Sequence, residues 1–420
     1  MDAWPPGVGK PAQRALGQAG FRDLASLTKA RFGDIAALHG VGPKTLETLA
    51  AALREQGLDF AEPAPRTARE WRALFGPQQG RPAGTGEAAA AEARRRSPAP
   101  GGKSTAPPVE LEVGDRLVRI SSPDRVYFPE TGWTKLDVVQ YYLSVGEGIV
   151  RALRERPTML HRFPKGLAGD KVFQKRLPAG APDWVQTVRL HFPRFDLEAD
   201  ELCVTELADV AWATQMSTVE FHPWNVRRAD VDRPDEWRID LDPMPDAGFD
   251  RVRRVAEAVH GVLDELGIIG YPKTSGGNGL HVYVRIAPEW TFAEVRRAAW
   301  AFAVEVERRG PQDVTTAWWR RDRPTDRVFI DYNQNARDHT LASAYSLRGN
   351  PRGTVSAPIR WDEVDAVEPS ELTLATVPGR YAELGDLYGS IDDVAFRLEP
   401  LLEWADRFDA EAGGEPPGDA

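Results

Sequence analysis

Apolar and polar residues change period several times along the second half of the chain. In EWRIDLDP, ending at Pro243, Ile239 and Leu241 alternate with Asp240 and Asp242, the two-residue period of a strand. FDRVRRVAEAVHGVLDELG carries its apolar residues at three- and four-residue intervals and predicts an amphipathic helix closed by Gly267. YPKTSGGNGLHVYVRI returns to alternation around a glycine cluster and predicts a hairpin. TFAEVRRAAWAFAVEVERRG predicts a second helix, and DRVFIDYNQN another strand with Asp331 in its middle. Upstream, LEVGDRLVRIS predicts a strand pair turning at Gly114 and Asp115, and LDVVQYYLSVGEGIVRAL has helical spacing. Antiparallel strands with helices between them predict an α/β (α+β) sheet covered on one face, without fixing the strand order.

The pattern also divides the chain. Residues 1–76 form a small all-α module in this reading, with a first helix that stops at Gly20 and a second turn at LHGVGPKTLETLAAALREQ. There Gly40 and Gly42 bracket Val41, Pro43 takes a first helical position, and Leu46, Leu49 and Leu53 recur at helical spacing. A glycine turn that opens a helix presents backbone N–H groups and the positive helix end together, which suits a phosphate. The segment resembles a helix-hairpin-helix module, which implies a sequence-independent grip on a DNA backbone by Gly40, Gly42 and Lys44. The other reading is an ordinary helical joint in a small protein-binding domain. Residues 77–108 are rich in Gly, Pro, Ala and Ser and read as a flexible linker, 109–408 as the main domain, and 409–420 as a disordered tail.

The formal charge is -10, so nucleic-acid binding would have to come from local patches and not from a basic field over the whole protein. The single cysteine, Cys203, excludes an internal disulfide and a cysteine-clustered zinc site. No basic leader followed by an apolar run opens the chain, and no apolar run is long enough for a membrane helix, so a cytoplasmic protein with no membrane partner is expected.

Asp240 and Asp242 point to one face of their strand and repel each other. A shared proton, nearby arginines or a divalent cation must offset that repulsion. With Asp331 they would make a hard oxygen site suited to Mg²⁺ or Mn²⁺. An Asp-x-Asp alone is more often a cap or a surface strand, and the third acid and the glycine loop shift that balance. The loop KTSGGNGLH admits two readings: a tight hairpin, or a phosphate cradle using Ser275, Gly276, Gly277 and His281. A dinucleotide fingerprint is excluded, because a strand and not a helix follows the glycines.

Taken in order, RIDLDP, KTSGGNGLHVYV and VFIDYNQNARDHTLASAYSLR resemble the polymerase domain of bacterial DNA ligase D, within the archaeo-eukaryotic primase superfamily. The resemblance covers nearly all of 109–408. It implies an RRM-like catalytic core joined to a smaller α/β subdomain. It implies template-directed addition of ribo- or deoxyribonucleotides (NTP or dNTP) to a DNA 3′ end, at gaps or double-strand breaks, with two Mn²⁺ or Mg²⁺ ions. Asp240, Asp242 and Asp331 would be the metal ligands, and His222 in EFHPWN would lie near the sugar and primer end. Lys273, Ser275, Gly276, Gly277, His281, Gln334 and Arg348 would contact the nucleotide. Arg125 and Lys135 would bind a downstream 5′-phosphate, and Phe173 would stack on the template.

Three positions depart from that family pattern. Val172 stands where a second aromatic is usual, and Asn278 and Asn350 stand where basic residues are usual. No Lys-x-Asp-Gly ligase motif is present, so a stand-alone, monomeric polymerase is expected, with Ku and a separate ligase as candidate partners. A catalytically weak DNA-end scaffold is the alternative, and the intact acid cluster speaks against it. A different metal-dependent phosphotransferase or nuclease is a further one, against which the glycine loop favours a triphosphate.

Overall fold

The computed structural model describes residues 4–5, 8–36, 38, 41, 43–61, 106–178, 180–192 and 196–411. The chain falls into two units, 1–89 and 90–420.

In the first unit, helices α1 (Lys10–Gln18), α2 (Phe32–Ala36) and α3 (Pro43–Glu55) surround a core of Leu16, Leu27, Ile35, Leu46, Leu49 and Leu53. The chain turns after α1 at Gly20, whose φ of +92° suits glycine. Pro43 opens α3, as its fixed φ and missing N–H favour. Gly40, Gly42 and the side chain of Lys44 lie outside the described residues. So do residues 62–105, which hold most of the expected linker, and 412–420.

The second unit opens with the antiparallel pair β1 (Val109–Val113) and β2 (Arg116–Ile120), followed by the short pair β3 (Val126–Phe128) and β4 (Trp133–Thr134). The helical run after Thr134 forms two helices, α4 (Lys135–Ser144) and α5 (Gly146–Leu153), parted at Val145. Gly146 and Gly148 let α5 lie close to its neighbours, since a Cβ on either would fall within 2.6 Å of Leu207 or Tyr345.

One sheet centres on β5 (Pro157–Arg162). Strands β6 (Val172–Gln174) and β8 (Leu197–Cys203) flank it on one side, β9 (Thr218–Pro223) pairs on the other, and β7 (Thr187–Phe192) lies beyond β8. Helix α6 (Leu207–Gln215) links β8 to β9. The other sheet comprises β10 (Glu236–Pro243), β11 (Tyr271–Thr274), β12 (Leu280–Arg285), β13 (Val314–Thr315) and β14 (Val328–Ile330), in the order β11-β12-β10-β14-β13. Helix α7 (Phe249–Glu265) follows β10 and α8 (Phe292–Arg309) follows β12. Without the edge strand β13, this is a β-α-β-β-α-β unit with antiparallel neighbours, the split arrangement of an RRM-like core. The fold class thus agrees with the sequence.

Ile239, Leu241, Val282 and Val284 turn their apolar face to Val255, Val259 and Phe302 of α7 and α8. Each such side chain contributes ~1.5–3 kcal/mol when fully buried. The opposite face is buried too, contrary to the one-sided covering expected. Arg238, Asp240, Lys273 and His281 are all below 4% exposed. Arg238 donates to the carbonyls of Pro223 and Trp224 at 2.8 and 3.0 Å, so the end of β9 closes over this side. Charged residues cover it, which a hydrophobic pattern does not register. Helices α9 (Val377–Leu384) and α10 (Glu399–Glu411) complete the unit, α10 running three residues past the expected boundary. Among the described residues no helix is long and apolar enough to cross a membrane.

Candidate active site

Asp240 pairs with His281 across β10 and β12, and Asp242 with Phe329 across β10 and β14. Asp331 lies just past β14, not in mid-strand. Its own carboxylate accepts the Asn333 N–H at 3.0 Å and starts the short helical turn Tyr332–Asn335. Such local side-chain bonding ends a ladder. The Asp331 N–H still donates to the Asp240 carbonyl at 2.9 Å, which brings the third acid alongside the pair. One carboxylate oxygen from each of Asp240, Asp242 and Asp331 falls within 4.8 Å of the others.

Burial pushes the Asp240 carboxyl well above its ordinary range, and Asp242 and Asp331 push it further. Asp242 lies at the exposed rim, but loss of water around its carboxyl raises it first and Asp331 second, while Arg323 and Arg320 oppose the rise. Asp240 Oδ1 is buried and makes no hydrogen bond, although His281 Nε2 stands 3.3 Å away. A buried carboxylate oxygen without a donor, facing two more acids, fits a divalent cation. Gln334 donates to Asp331 Oδ2 at 3.1 Å and so orients an acid.

The glycine loop forms a tight hairpin. Ser275 N–H donates to the Gly279 carbonyl at 3.0 Å, closing a hairpin, and Ser275 Oγ accepts from Gly277 and Gly279 N–H, each at 3.1 Å. Those two amides are thereby turned into the loop. A Cβ on Gly279 would lie 2.3 Å from the Leu241 carbonyl, so only glycine lets the loop lie against the end of β10. Arg348 Nη1 donates to the Ser275 carbonyl at 2.6 Å and places a guanidinium over the loop. Asn350, standing at a usually basic position, donates to the Gly276 carbonyl at 3.2 Å, and Thr354 Oγ1 bonds the same oxygen. It pins the loop in place of charging it. Asn278 is exposed. Lys273, expected at the nucleotide, lies fully buried behind His281.

His222 leads to a residue the sequence reading passed over. Glu220, two positions earlier on β9, accepts from His222 Nε2 at 2.9 Å, Gly349 N–H at 3.0 Å and Lys171 Nζ at 3.1 Å, and meets His161 Nδ1 at 3.2 Å. Arg348 Nε is 3.3 Å from the same carboxylate. Burial opposes its ionisation, but the bonds from His161 and His222 and the charge of Arg348 hold Glu220 far below the usual carboxylate range. Burial lowers His222 to about 3, so its neutral ring donates the Nε2 proton. His161, Glu220 and His222 also have metal-ligand spacing. Lys171 and Arg348 already supply positive charge there, which disfavours a cation. The signal in sequence was Glu-x-His on a strand, the same two-residue spacing as Asp-x-Asp.

His161 stacks on His222 with ring centroids 3.7 Å apart and meets Phe173 edge-on at 4.7 Å. Phe173 is 61% exposed on β6, with Lys171 Nζ 5.1 Å from its ring centre. Val172 beside it is exposed as well. Farther off, Lys135 is 4% exposed, with Nζ bonded to the Ser121 carbonyl at 2.9 Å and Gln215 Oε1 at 2.7 Å. Burial, then Arg125 and Arg162, lower its pKa to about 8. Arg125 donates to the Pro164 carbonyl at 2.7 Å.

Residues 134–388 match the family model described as the LigD primase-polymerase domain. The multifunctional non-homologous end joining protein LigD of Mycolicibacterium smegmatis is 32% identical over 301 residues, 71% of this chain and 39% of that protein. The bifunctional LigD of Bacillus subtilis is 31% identical over 291 residues, 68% of this chain and 45% of that protein. The chain thus spans less than half the length of these relatives. The polymerase domain of Mycobacterium tuberculosis ligase D, solved in complex with DNA, superposes with a TM-score of 0.62 at 29% identity, covering 66% of this chain and 99% of that domain.

Proposed function

The chain belongs to the LigD primase-polymerase family, and we propose that it is a template-directed DNA repair nucleotidyltransferase that fills short gaps and extends broken ends. The observation that carries this reading is the acid cluster. Asp240, Asp242 and Asp331 converge beside the glycine loop, and a buried Asp240 oxygen makes no hydrogen bond.

In the reaction, the primer 3′-oxygen bonds to the α-phosphorus of the nucleotide, the bridge to the β-phosphate breaks, and pyrophosphate leaves. Two divalent ions on the three acids, Mn²⁺ or Mg²⁺, would supply neutralisation of charge on the attacking and leaving oxygens. Arg348 sets a guanidinium toward the triphosphate, anchored by the Ser275 carbonyl on one side and Glu220 on the other. Glu220 fixes His222 as a donor-bearing ring near the sugar. Phe173 stacks on a template base, and Arg125 and Lys135 take the downstream 5′-phosphate. The helical first unit, through Gly40, Gly42 and Lys44, adds a sequence-independent grip on DNA. Residues 77–108 act as the linker and 109–408 as the polymerase domain. The chain works as a monomer at cytoplasmic chromosomal DNA, with Ku and a separate ligase as partners.

The test is extension of a labelled primer across a short gap with a downstream 5′-phosphate, using NTP or dNTP with Mn²⁺ or Mg²⁺. Templated extension by the native chain that Asp240→Asn abolishes is expected. DNA binding without extension under every condition would favour the scaffold reading.

A further inference from the structure

The carbonyl of Gly276, inside the glycine loop, accepts twice from outside it. Asn350 Nδ2 donates to it at 3.2 Å, and so does the Thr354 hydroxyl. A carbonyl oxygen has two lone pairs, so both are taken. The two donors also bond each other. Asn350 Nδ2 gives its second hydrogen to Thr354 Oγ1 at 2.6 Å, and Asn350 Oδ1 accepts the Thr354 N–H at 3.3 Å. The turn between them is closed by the Gly353 N–H on the Asn350 carbonyl at 3.0 Å.

The same turn holds Arg348. Its N–H donates to the Thr354 carbonyl at 2.8 Å, and its Nη1 to the carbonyl of Ser275, the residue before Gly276. Gly276 has a φ of +70°, and a Cβ there would run into Arg348 Cγ and stand 3.0 Å from the Ser356 nitrogen. Loop and arginine are thus fixed relative to each other, with Thr354 bonded to both. Both Nδ2 hydrogens of Asn350 and the Thr354 hydroxyl proton are used within this arrangement. Neither side chain has a donor left for a phosphate, so each can act on a nucleotide only through the loop.

We propose that Asn350 and Thr354 are positioning residues that clamp the Gly276 carbonyl and so hold the glycine loop and Arg348 in the one arrangement that receives a triphosphate. The triphosphate rests on the function proposed above; the clamp itself does not. A loop that is free to turn must be ordered when it binds, and fixing it beforehand removes that cost. Preorganisation by neutral hydrogen bonds then stands in for the charge that basic residues at 278 and 350 would bring.

The test uses the full chain with Asn350→Ala, Thr354→Val and the two combined. The net worth of one hydrogen bond corresponds to roughly three- to tenfold in an equilibrium constant. Each single variant should raise the KM for nucleotide by that factor, with kcat and the Kd for gapped DNA unchanged, and Thr354→Ser should keep the native KM. Because both side chains serve one oxygen and each other, the double variant should be little worse than either single. A KM that Asn350→Ala leaves unchanged or lowers, a loss confined to kcat, or fully additive losses would each overturn the proposal. Amide hydrogen exchange over residues 275–280 reads the loop directly and should quicken by a similar factor in both variants. Native exchange rates there would overturn the clamp. If Thr354→Val does not fold, Asn350→Ala, changed at a half-buried position, decides alone. A native chain that binds no nucleotide would retire the polymerase reading, and the exchange rates would still decide the clamp.

Discussion

Glu220 Oε2 stands 3.3 Å from Arg348 Nε, with the carboxylate buried and the guanidinium half-covered. The pair joins β9 of one sheet to the segment that lies over the glycine loop of the other. Truncating a buried ion pair costs about 3–5 kcal/mol, because it strands the remaining charges. Glu220→Gln should therefore lose roughly that much stability at pH 7, read from denaturant midpoints. Since folding depresses this carboxyl below its unfolded value near 4, its contribution is present above that pH and declines as pH falls below it. The gap between native protein and variant should narrow between about pH 4 and pH 2.

The acid cluster predicts the opposite trade. Folding raises the Asp240 pKa, so above about pH 4 the folded state holds a proton that the unfolded state has lost. Stability then falls as pH rises from there toward the folded value. Asp240→Asn removes that fall. Without metal, the variant should melt on the order of 2 °C above the native chain at pH 7 and level with it near pH 4. It should also lose extension, and Mn²⁺ should raise the melting point of the native chain only.

Phe173 is exposed and contributes little to the core, so Phe173→Ala should leave the melting point unchanged. One base stack is worth ~1–3 kcal/mol, so affinity for gapped DNA should fall about 5- to 150-fold. Val172→Phe, which restores the second ring on β6, should tighten the same binding. Fluorescence anisotropy on a gapped duplex measures both.

Lys135 gives a pH signature. Its pKa of about 8 means that its charge is lost as pH rises through that value. The preference for a downstream 5′-phosphate should decline between about pH 7 and pH 9 and be flat in Lys135→Met. Relative to an unfolded pKa near 10.4, folding releases this proton. Its burial therefore weakens the fold below about pH 8, and the loss is recovered as pH rises toward 10.

The sequence was informative where chemistry repeats at strand spacing. Asp240 and Asp242 lie on one face because a strand has a period of two, and the β-α-β-β-α-β order of the core can be followed in its helices and glycines. Asp331 was displaced because one local bond to Asn333 ended its strand, an event that apolar neighbours do not signal. Lys273 and Glu220 were hidden for a different reason. Their roles depend on partners 69 and 129 residues away, Ala342 and Gly349, which no local pattern connects. Gly40 and Gly42 had the clearest sequence signal of the first unit, yet they lie outside the described residues.

The contact between Glu220 and the Arg348 segment also bears on how the chain is made. Its two sides are synthesised far apart, and non-local closure is slow compared with forming a helix or hairpin. While residues beyond 340 are still on the ribosome, Glu220 lacks Arg348, and Lys273 lacks the Ala342 carbonyl and the Ser356 hydroxyl. The polar face of β10 and β12 therefore cannot be dehydrated early. The apolar side against α7 and α8 can assemble first, and the second sheet docks once the Arg348 segment arrives. In a nascent chain, closure of the Arg348 segment over the glycine loop would mark the end of folding.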